Sequence, residues 1–366
     1  MSQTRHFASD NYASVHPEVL AAIAAANGGH EPAYGADAVT AAFDEAVASV
    51  FGADALAFPV FNGTGANVVS LMALSPRWGG VVASEHAHIN VDENGAPERV
   101  GGLKVLPVAA PDGRVTPASL SRWQGDLGDE HRAQPLVLSV TQSTELGTVY
   151  SLDSLRALID AAHEAGMRVH LDGARIANAA AALGVSLAEA CGGADMVSLG
   201  GTKNGAMGAE AVVVLAADLR ERMAADLPHL RKATMQLGSK MRYASAQLAA
   251  LLTSVDDAGD PLWLRNARHA NAMAAELRAE LEPLAAAGAV AFTQPTEANA
   301  VFVEMPRTLA DELRQTFRFY DWMPGSTPET VEVRLMCSWD TQPGDVERLG
   351  ELARGIGGVH DVTNGP

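Results

Sequence analysis

Ser198-Leu199-Gly200-Gly201-Thr202-Lys203-Asn204-Gly205 places one lysine in a turn of glycines and small residues, directly after a short apolar run. Lysine is scarce in this chain, and a surface lysine rarely sits in so small a frame. A desolvated lysine loses part of its affinity for the proton and becomes a nucleophile able to form a Schiff base. Taken alone, a solvated loop lysine accounts for the stretch. Upstream stands His170-Leu171-Asp172-Gly173-Ala174-Arg175, with the aspartate at the carboxyl end of another apolar run. Ligand crevices of open α/β sheets form at such strand ends. A carboxylate there can hold a ring N–H, and an arginine three residues on can meet a carboxylate in a two-pronged fork. A helix-capping Asp and a surface Arg would explain the same residues. Further upstream, Asn62-Gly63-Thr64-Gly65-Ala66-Asn67 follows the apolar run that ends at Phe61. Its glycines let backbone approach a ligand, and the helix that follows points unpaired N–H groups and its positive dipole end at the same spot. It is neither the Gly-x-Gly-x-x-Gly of dinucleotide folds nor a Walker loop.

Around these stretches the chain alternates short strands, over 55–60, 81–84, 136–141, 167–172, 196–200 and 211–216, with helices over 65–74, 152–165 and 174–183. Buried strands alternating with helices predict a mainly parallel sheet covered on both faces. Pro17 opens a helix over 17–25, and Gly52 closes one over 39–51. After about residue 250 the texture changes. A long helix over 263–284 precedes strands over 290–293 and 299–304, a helix, a strand over 330–337 and a terminal helix, which predicts a small α+β domain. The expected organisation is therefore an extended arm over 1–15, a large domain over 16–250 and a small C-terminal domain over 251–366.

With 366 residues, 48% of them hydrophobic, the chain can bury two cores rather than one. A formal net charge of −18 disfavours nucleic acid and anionic membranes as partners, since phosphate binding needs clustered Lys and Arg. The two cysteines, Cys191 and Cys337, have no metal-ligand spacing and form no CxxC, which argues for a reducing compartment. The amino-terminal residues lack an apolar signal core, and no run approaches the roughly 18 apolar residues of a spanning helix. A cytoplasmic protein is expected.

Phosphate turn, strand-end Asp, then Lys after the next strand is the order in which aspartate-aminotransferase-like (fold type I) pyridoxal-phosphate enzymes present their cofactor ligands. More closely, the sequence resembles the low-specificity L-threonine aldolases over nearly its whole length. The resemblance is carried by Phe7-Ala8-Ser9-Asp10-Asn11-Tyr12, Ala33-Tyr34-Gly35, the 62–67 turn, Ala87-His88, the 171–175 and 200–205 stretches, Ser239-Lys240-Met241-Arg242, and 334–340. It implies pyridoxal 5'-phosphate as cofactor and retro-aldol cleavage of L-threonine, L-allo-threonine and phenylserine-type substrates to glycine and an aldehyde.

Carried onto this chain, the resemblance makes Lys203 the Schiff-base lysine, Asp172 the partner of the pyridine nitrogen and His88 the residue stacked on the ring. Gly63 and Thr64 would bind the phosphate. Ser9, Arg175 and Arg334 would hold the substrate carboxylate, with Arg175 also among the cofactor contacts. Arg242 would reach a neighbouring subunit's phosphate, and Tyr34 would contribute to an active site across the subunit boundary. A homotetramer built as a dimer of dimers is implied. One departure stands out. Many of these aldolases have Thr-His-Asn-Gly after the central strand, where this chain has Thr144-Glu145-Leu146-Gly147. Glu145 either positions or deprotonates the β-hydroxyl, or forms a hydrogen-bonding wall. A serine hydroxymethyltransferase-like enzyme, an aminotransferase and a β-eliminating lyase remain alternatives on the same fold. A dinucleotide-dependent oxidoreductase lacks its glycine fingerprint here. Intact Lys203 and Asp172 argue against a non-catalytic binding protein.

Overall fold

The computed structural model describes residues 4–357. These residues form two compact units. The larger comprises residues 15–145 and 149–265. The smaller comprises the described residues up to Ser14, Leu146–Thr148, and those from Asn266 onward.

The larger unit is built on a seven-stranded sheet of β1 (Leu56–Val60), β2 (Gly79–Ser84), β3 (Lys104–Val108), β4 (Gln134–Thr141), β5 (Arg168–Gly173), β6 (Met196–Gly200) and β7 (Glu210–Val214), in the order β1-β7-β6-β5-β4-β2-β3. From β3 to β6 every neighbour is parallel, whereas β7 runs antiparallel to both β6 and β1. The mainly parallel α/β sheet is the expected one, and the reversal at β7 has a simple cause. The connection over 201–209 is too short for a parallel crossover, which needs a dozen or more residues. Strands β2 and β7 are buried along their whole length, as apolar runs covered on both faces should be.

Strand β3 was not foreseen. It is an edge strand whose Lys104 and Pro107 are exposed, so it shows neither a continuous apolar run nor clean alternation. The helix expected over 65–74 starts earlier, at Gly63, because the Asn62 side chain accepts the Gly65 N–H at 2.7 Å and caps it. The helix expected from 174 starts instead at Ile176, since Gly173 is still part of β5.

In the smaller unit, β8 (Ala291–Phe292), β9 (Ala300–Pro306), β10 (Tyr320–Pro324) and β11 (Thr330–Met336) form an antiparallel sheet ordered β10-β11-β9-β8. Phe7, Leu277, Leu281, Val303, Phe317, Val333 and Leu349 are among the residues of its buried core. The arm is not wholly extended: Asp10–Tyr12 form a 3₁₀ turn, with the Ser9 hydroxyl accepting the Asn11 N–H at 3.1 Å. Phe7 anchors it by donating its N–H to the Arg318 carbonyl and accepting the Met336 N–H.

Candidate active site

The site in the larger unit starts from period-two polar residues in three adjacent buried strands. Ser139 and Thr141 in β4, His170 and Asp172 in β5, and Ser198 in β6 stand in register, with His170 paired to Ser139 and Asp172 to both Thr141 and Ser198. Residues two apart on a strand share a face, so His170 and Asp172 project to the same side of the sheet. Asp172 is at the carboxyl end of β5, where the chain leaves the sheet.

Asp172 is buried, and both carboxylate oxygens are engaged. Oδ1 accepts the Ala174 N–H and Oδ2 accepts from Asn67 Nδ2, each at 2.9 Å. Burial would raise its pKa. The Lys203 charge, the Ala174 N–H, His170 and His88 outweigh that and hold the carboxyl below its ordinary range, so it stays ionised. Beneath it, His170 lies between two hydroxyls, Ser139 Oγ at Nδ1 and Ser198 Oγ at Nε2, both at 2.9 Å. Its burial lowers its pKa to about 4, so the imidazole is neutral at ordinary pH.

Asn67, on the helix that begins at Gly63, also donates to Glu93 Oε1 at 2.9 Å, and the same oxygen meets His88 Nδ1 at 3.0 Å. A chain of contacts therefore runs Asp172–Asn67–Glu93–His88. The hydrogen bond His88 makes to the Glu93 carboxylate is the first cause of its raised pKa; burial and Lys203 oppose it, while Asp172 adds to it. With Nδ1 committed to Glu93, the exchangeable position of His88 is Nε2.

Glu145 closes the other side. Its Oε1 accepts the His88 backbone N–H and the Thr141 hydroxyl, each at 2.8 Å, while buried Oε2 has no partner. Burial, then the Asp172 charge, raise its pKa, so the carboxyl tends toward its protonated form.

Lys203 stands in the 3₁₀ turn Thr202–Asn204. The turn is held by Glu210, the first residue of β7, whose carboxylate accepts the N–H groups of Gly201 at 2.9 Å and Thr202 at 3.3 Å. Gly200 must be glycine: a Cβ there would lie 2.6–2.8 Å from the Ala174 backbone. Gly63 is the converse, since a Cβ would meet nothing within 4 Å and would only fill the space before the helix terminus.

Gly63, Thr64, Asn67, His88, Glu93, Thr141, Ser143, Glu145, Asp172, Arg175 and Lys203 together line one pocket. It contains His88 and not His86. The pocket presents a helix N-terminus for an anion, an ionised carboxylate, an amine and an arginine, with orphaned polar atoms at Asn67 Oδ1, Glu93 Oε2, Ser143 Oγ and Glu145 Oε2. These groups match an anionic, ring-bearing carbonyl compound with a protonatable nitrogen.

Tyr34 and Arg242 are in the same unit but do not line this pocket. Tyr34 is exposed, has φ 64°, donates its N–H to the Ser239 carbonyl and lies under Lys232. Arg242 stacks on the neighbouring Tyr243 ring at 5.1 Å. Ser9 and Arg334 belong to the smaller unit, where Arg334 Nη2 donates to the Ala8 carbonyl at 3.4 Å. Sequence reasoning missed roles for Asn67, Glu93, Thr141, Ser143, His170 and Glu210. Some signal was present: Asn67 is one helical turn past Thr64, and the strand residues are polar interruptions at period two in apolar runs.

A family model described as beta-eliminating lyase matches residues 6–308. The low specificity L-threonine aldolase of Pseudomonas aeruginosa is 42% identical over 357 residues, which is 96% of this chain and 97% of that protein. The solved structure of Leishmania major threonine aldolase superposes with a TM-score of 0.87 at 28% identity, covering 96% of this chain and 99% of that one. Serine palmitoyltransferase of Sphingomonas wittichii shares the fold, with a TM-score of 0.70 at 15% identity over 98% of this chain and 89% of its own.

Proposed function

The chain belongs to the beta-eliminating lyase family, and from that premise we propose that it is a pyridoxal-phosphate-dependent carbon–carbon lyase. Its substrates are L-threonine, L-allo-threonine and related L-β-hydroxy-α-amino acids such as phenylserine, and its products are glycine and an aldehyde. The observation that carries this reading is the convergence of Lys203, ionised Asp172 and the Gly63–Leu74 helix terminus on one pocket.

Gly63 and Thr64 would hold the cofactor's phosphate at the helix N-terminus. Lys203 would hold its carbonyl carbon through Nζ, His88 would cover the ring face, and Asp172 would keep the pyridine nitrogen protonated. When bound, the cofactor supplies an electron sink for the pair released when the Cα–Cβ bond breaks. Arg175, Ser9 and Arg334 hold the α-carboxylate, and that grip decides which bond at Cα is presented for cleavage. His88 takes the β-hydroxyl proton at Nε2 while Glu93 fixes Nδ1. Glu145, with Oε2 orphaned and its proton retained to higher pH, positions the same hydroxyl by donating to it.

Tyr34 and Arg242, which do not line the pocket of their own chain, serve a neighbouring subunit's site in a homotetramer. The protein works in the cytoplasm, a reading supported by its two unpaired cysteines, Cys191 and Cys337. The test compares aldehyde release from L-threonine, L-allo-threonine and L-phenylserine by wild type and Lys203→Ala. Cleavage to glycine that vanishes in the variant is expected. A yellow wild type that releases no aldehyde, or one that yields ammonia and a keto acid, would overturn the reaction.

A further inference from the structure

Within the smaller unit, β10 and β11 pair with Tyr320 opposite Arg334 and Asp321 opposite Val333. The register then slips, so that Met323 faces Glu332. Trp322 is the extra residue of this bulge. A bulge twists its strand and re-aims the side chain it carries, and such bulges gather beside active sites. Here the indole is aimed at Arg334, whose guanidinium carbon lies 4.6 Å from the ring centroid. The indole is itself held: Phe302 meets it at 5.5 Å and 76°, and Leu146, Ala300 and Met336 complete the buried cluster on which it packs. The Phe302 ring is hemmed in turn, since a Cβ on Gly147 would approach it to 3.2 Å.

A guanidinium stacked on a ring is fixed in its plane, and stacking uses none of its five N–H donors. Arg334 Nη2 also donates to the Ala8 carbonyl at 3.4 Å, a long contact that by itself leaves rotation about that bond open. Two constraints of different kinds, a plane and one edge, define the orientation that a two-pronged contact with a carboxylate demands. Trp322 is only half-buried. We propose that Trp322 is a positioning residue, which acts through Arg334 by holding its guanidinium plane for the α-carboxylate of the amino-acid substrate. This rests on the assignment of Arg334 to that carboxylate.

The test is a double-mutant cycle on the holoenzyme, with Trp322→Leu, Arg334→Leu and the double variant, plus Trp322→Phe. KM and kcat for L-threonine are read together with the calorimetric Kd for glycine. Trp322→Leu should raise KM and the glycine Kd about threefold to tenfold, the size of a partly exposed cation–π contact, while kcat stays within about twofold. Trp322→Phe retains a ring and should restore most of the loss. Trp322→Leu should cost nothing further once Arg334 is Leu. Wild-type KM and Kd in Trp322→Leu, or strictly additive losses in the cycle, would overturn the inference and leave the carboxylate assignment standing. An unchanged KM and glycine Kd in Arg334→Leu itself would overturn both.

Discussion

Replacing Glu93 with Gln should move the acid limb of kcat/KM down by about one pH unit. The contact concerned is Glu93 Oε1 to His88 Nδ1 at 3.0 Å, with the Glu93 side chain fully buried and the His88 side chain 37% exposed. A hydrogen bond to a charged group contributes about 1.5–3 kcal/mol and a neutral one about 0.5–1.5. Gln keeps an acceptor but loses the charge, so the protonated imidazole loses about 1–1.5 kcal/mol, or about one pH unit at 1.36 kcal/mol per unit. Solvent at the exposed part of the ring screens the effect toward the lower figure.

The sign follows from which form works. Glu93 raises the His88 pKa above 6.5, so the neutral base is available only above that raised value. Without the charge the base is available at lower pH, and the limb shifts down. In stability, a raised folded pKa is a contribution fully present below 6.5 and lost as pH rises through the folded value. Glu93→Gln should therefore destabilise more in mild acid than in mild base. The assay is aldehyde release from L-threonine across a pH range that brackets 6.5, at substrate concentrations well below KM. An acid limb that stays in place in an otherwise active variant would refute the role given to Glu93.

Asn67→Ala removes one donor from both buried carboxylates, Asp172 Oδ2 and Glu93 Oε1. It should cost about 1–3 kcal/mol in urea unfolding and weaken cofactor retention; a variant as stable as wild type would contradict the bridge. His170 binds its proton at about 4 in the folded state and near 6.5 when unfolded. Below 6.5 the unfolded chain therefore gains protons, and stability should fall by about 1.4 kcal/mol per pH unit down toward 4. His170→Gln should flatten that part of the stability profile. Gly200→Ala sets a methyl 2.6–2.8 Å from the Ala174 backbone. It should destabilise by about 1–3 kcal/mol and lower the thermal midpoint, because backbone rather than a side chain has to yield.

Gly63, Thr64, Asp172 and Lys203, which line one pocket, stood out in order along the chain. Small residues mark the turns at 62–67, 172–175 and 200–205, and at Gly200 the reason is the Ala174 backbone, 2.6–2.8 Å from where a Cβ would stand. The buried strands were equally readable, because burial on both faces leaves a largely apolar run with few polar interruptions. Strands β3 and β10 were not: an edge strand is half-wet, tolerates Lys104, Pro107 or Pro324, and loses the pattern that marks it.

Other features belong to the tertiary structure alone. The contacts that link Asp172 to His88 through Asn67 and Glu93 join residues from separate elements, and no spacing announces them. Glu145 is an ordinary acid in the sequence; burial beside Asp172 is what raises its pKa. The arm's place beside the C-terminal strands is set by hydrogen bonds of the Phe7 backbone to Arg318 and Met336. Backbone groups are alike at every residue, so side-chain identity cannot encode which of them meet. Trp322 and Arg334 read as unrelated strand residues until β10 pairs with β11 and the guanidinium comes to lie over the indole. A register is a property of two strands together, and only the folded sheet decides it.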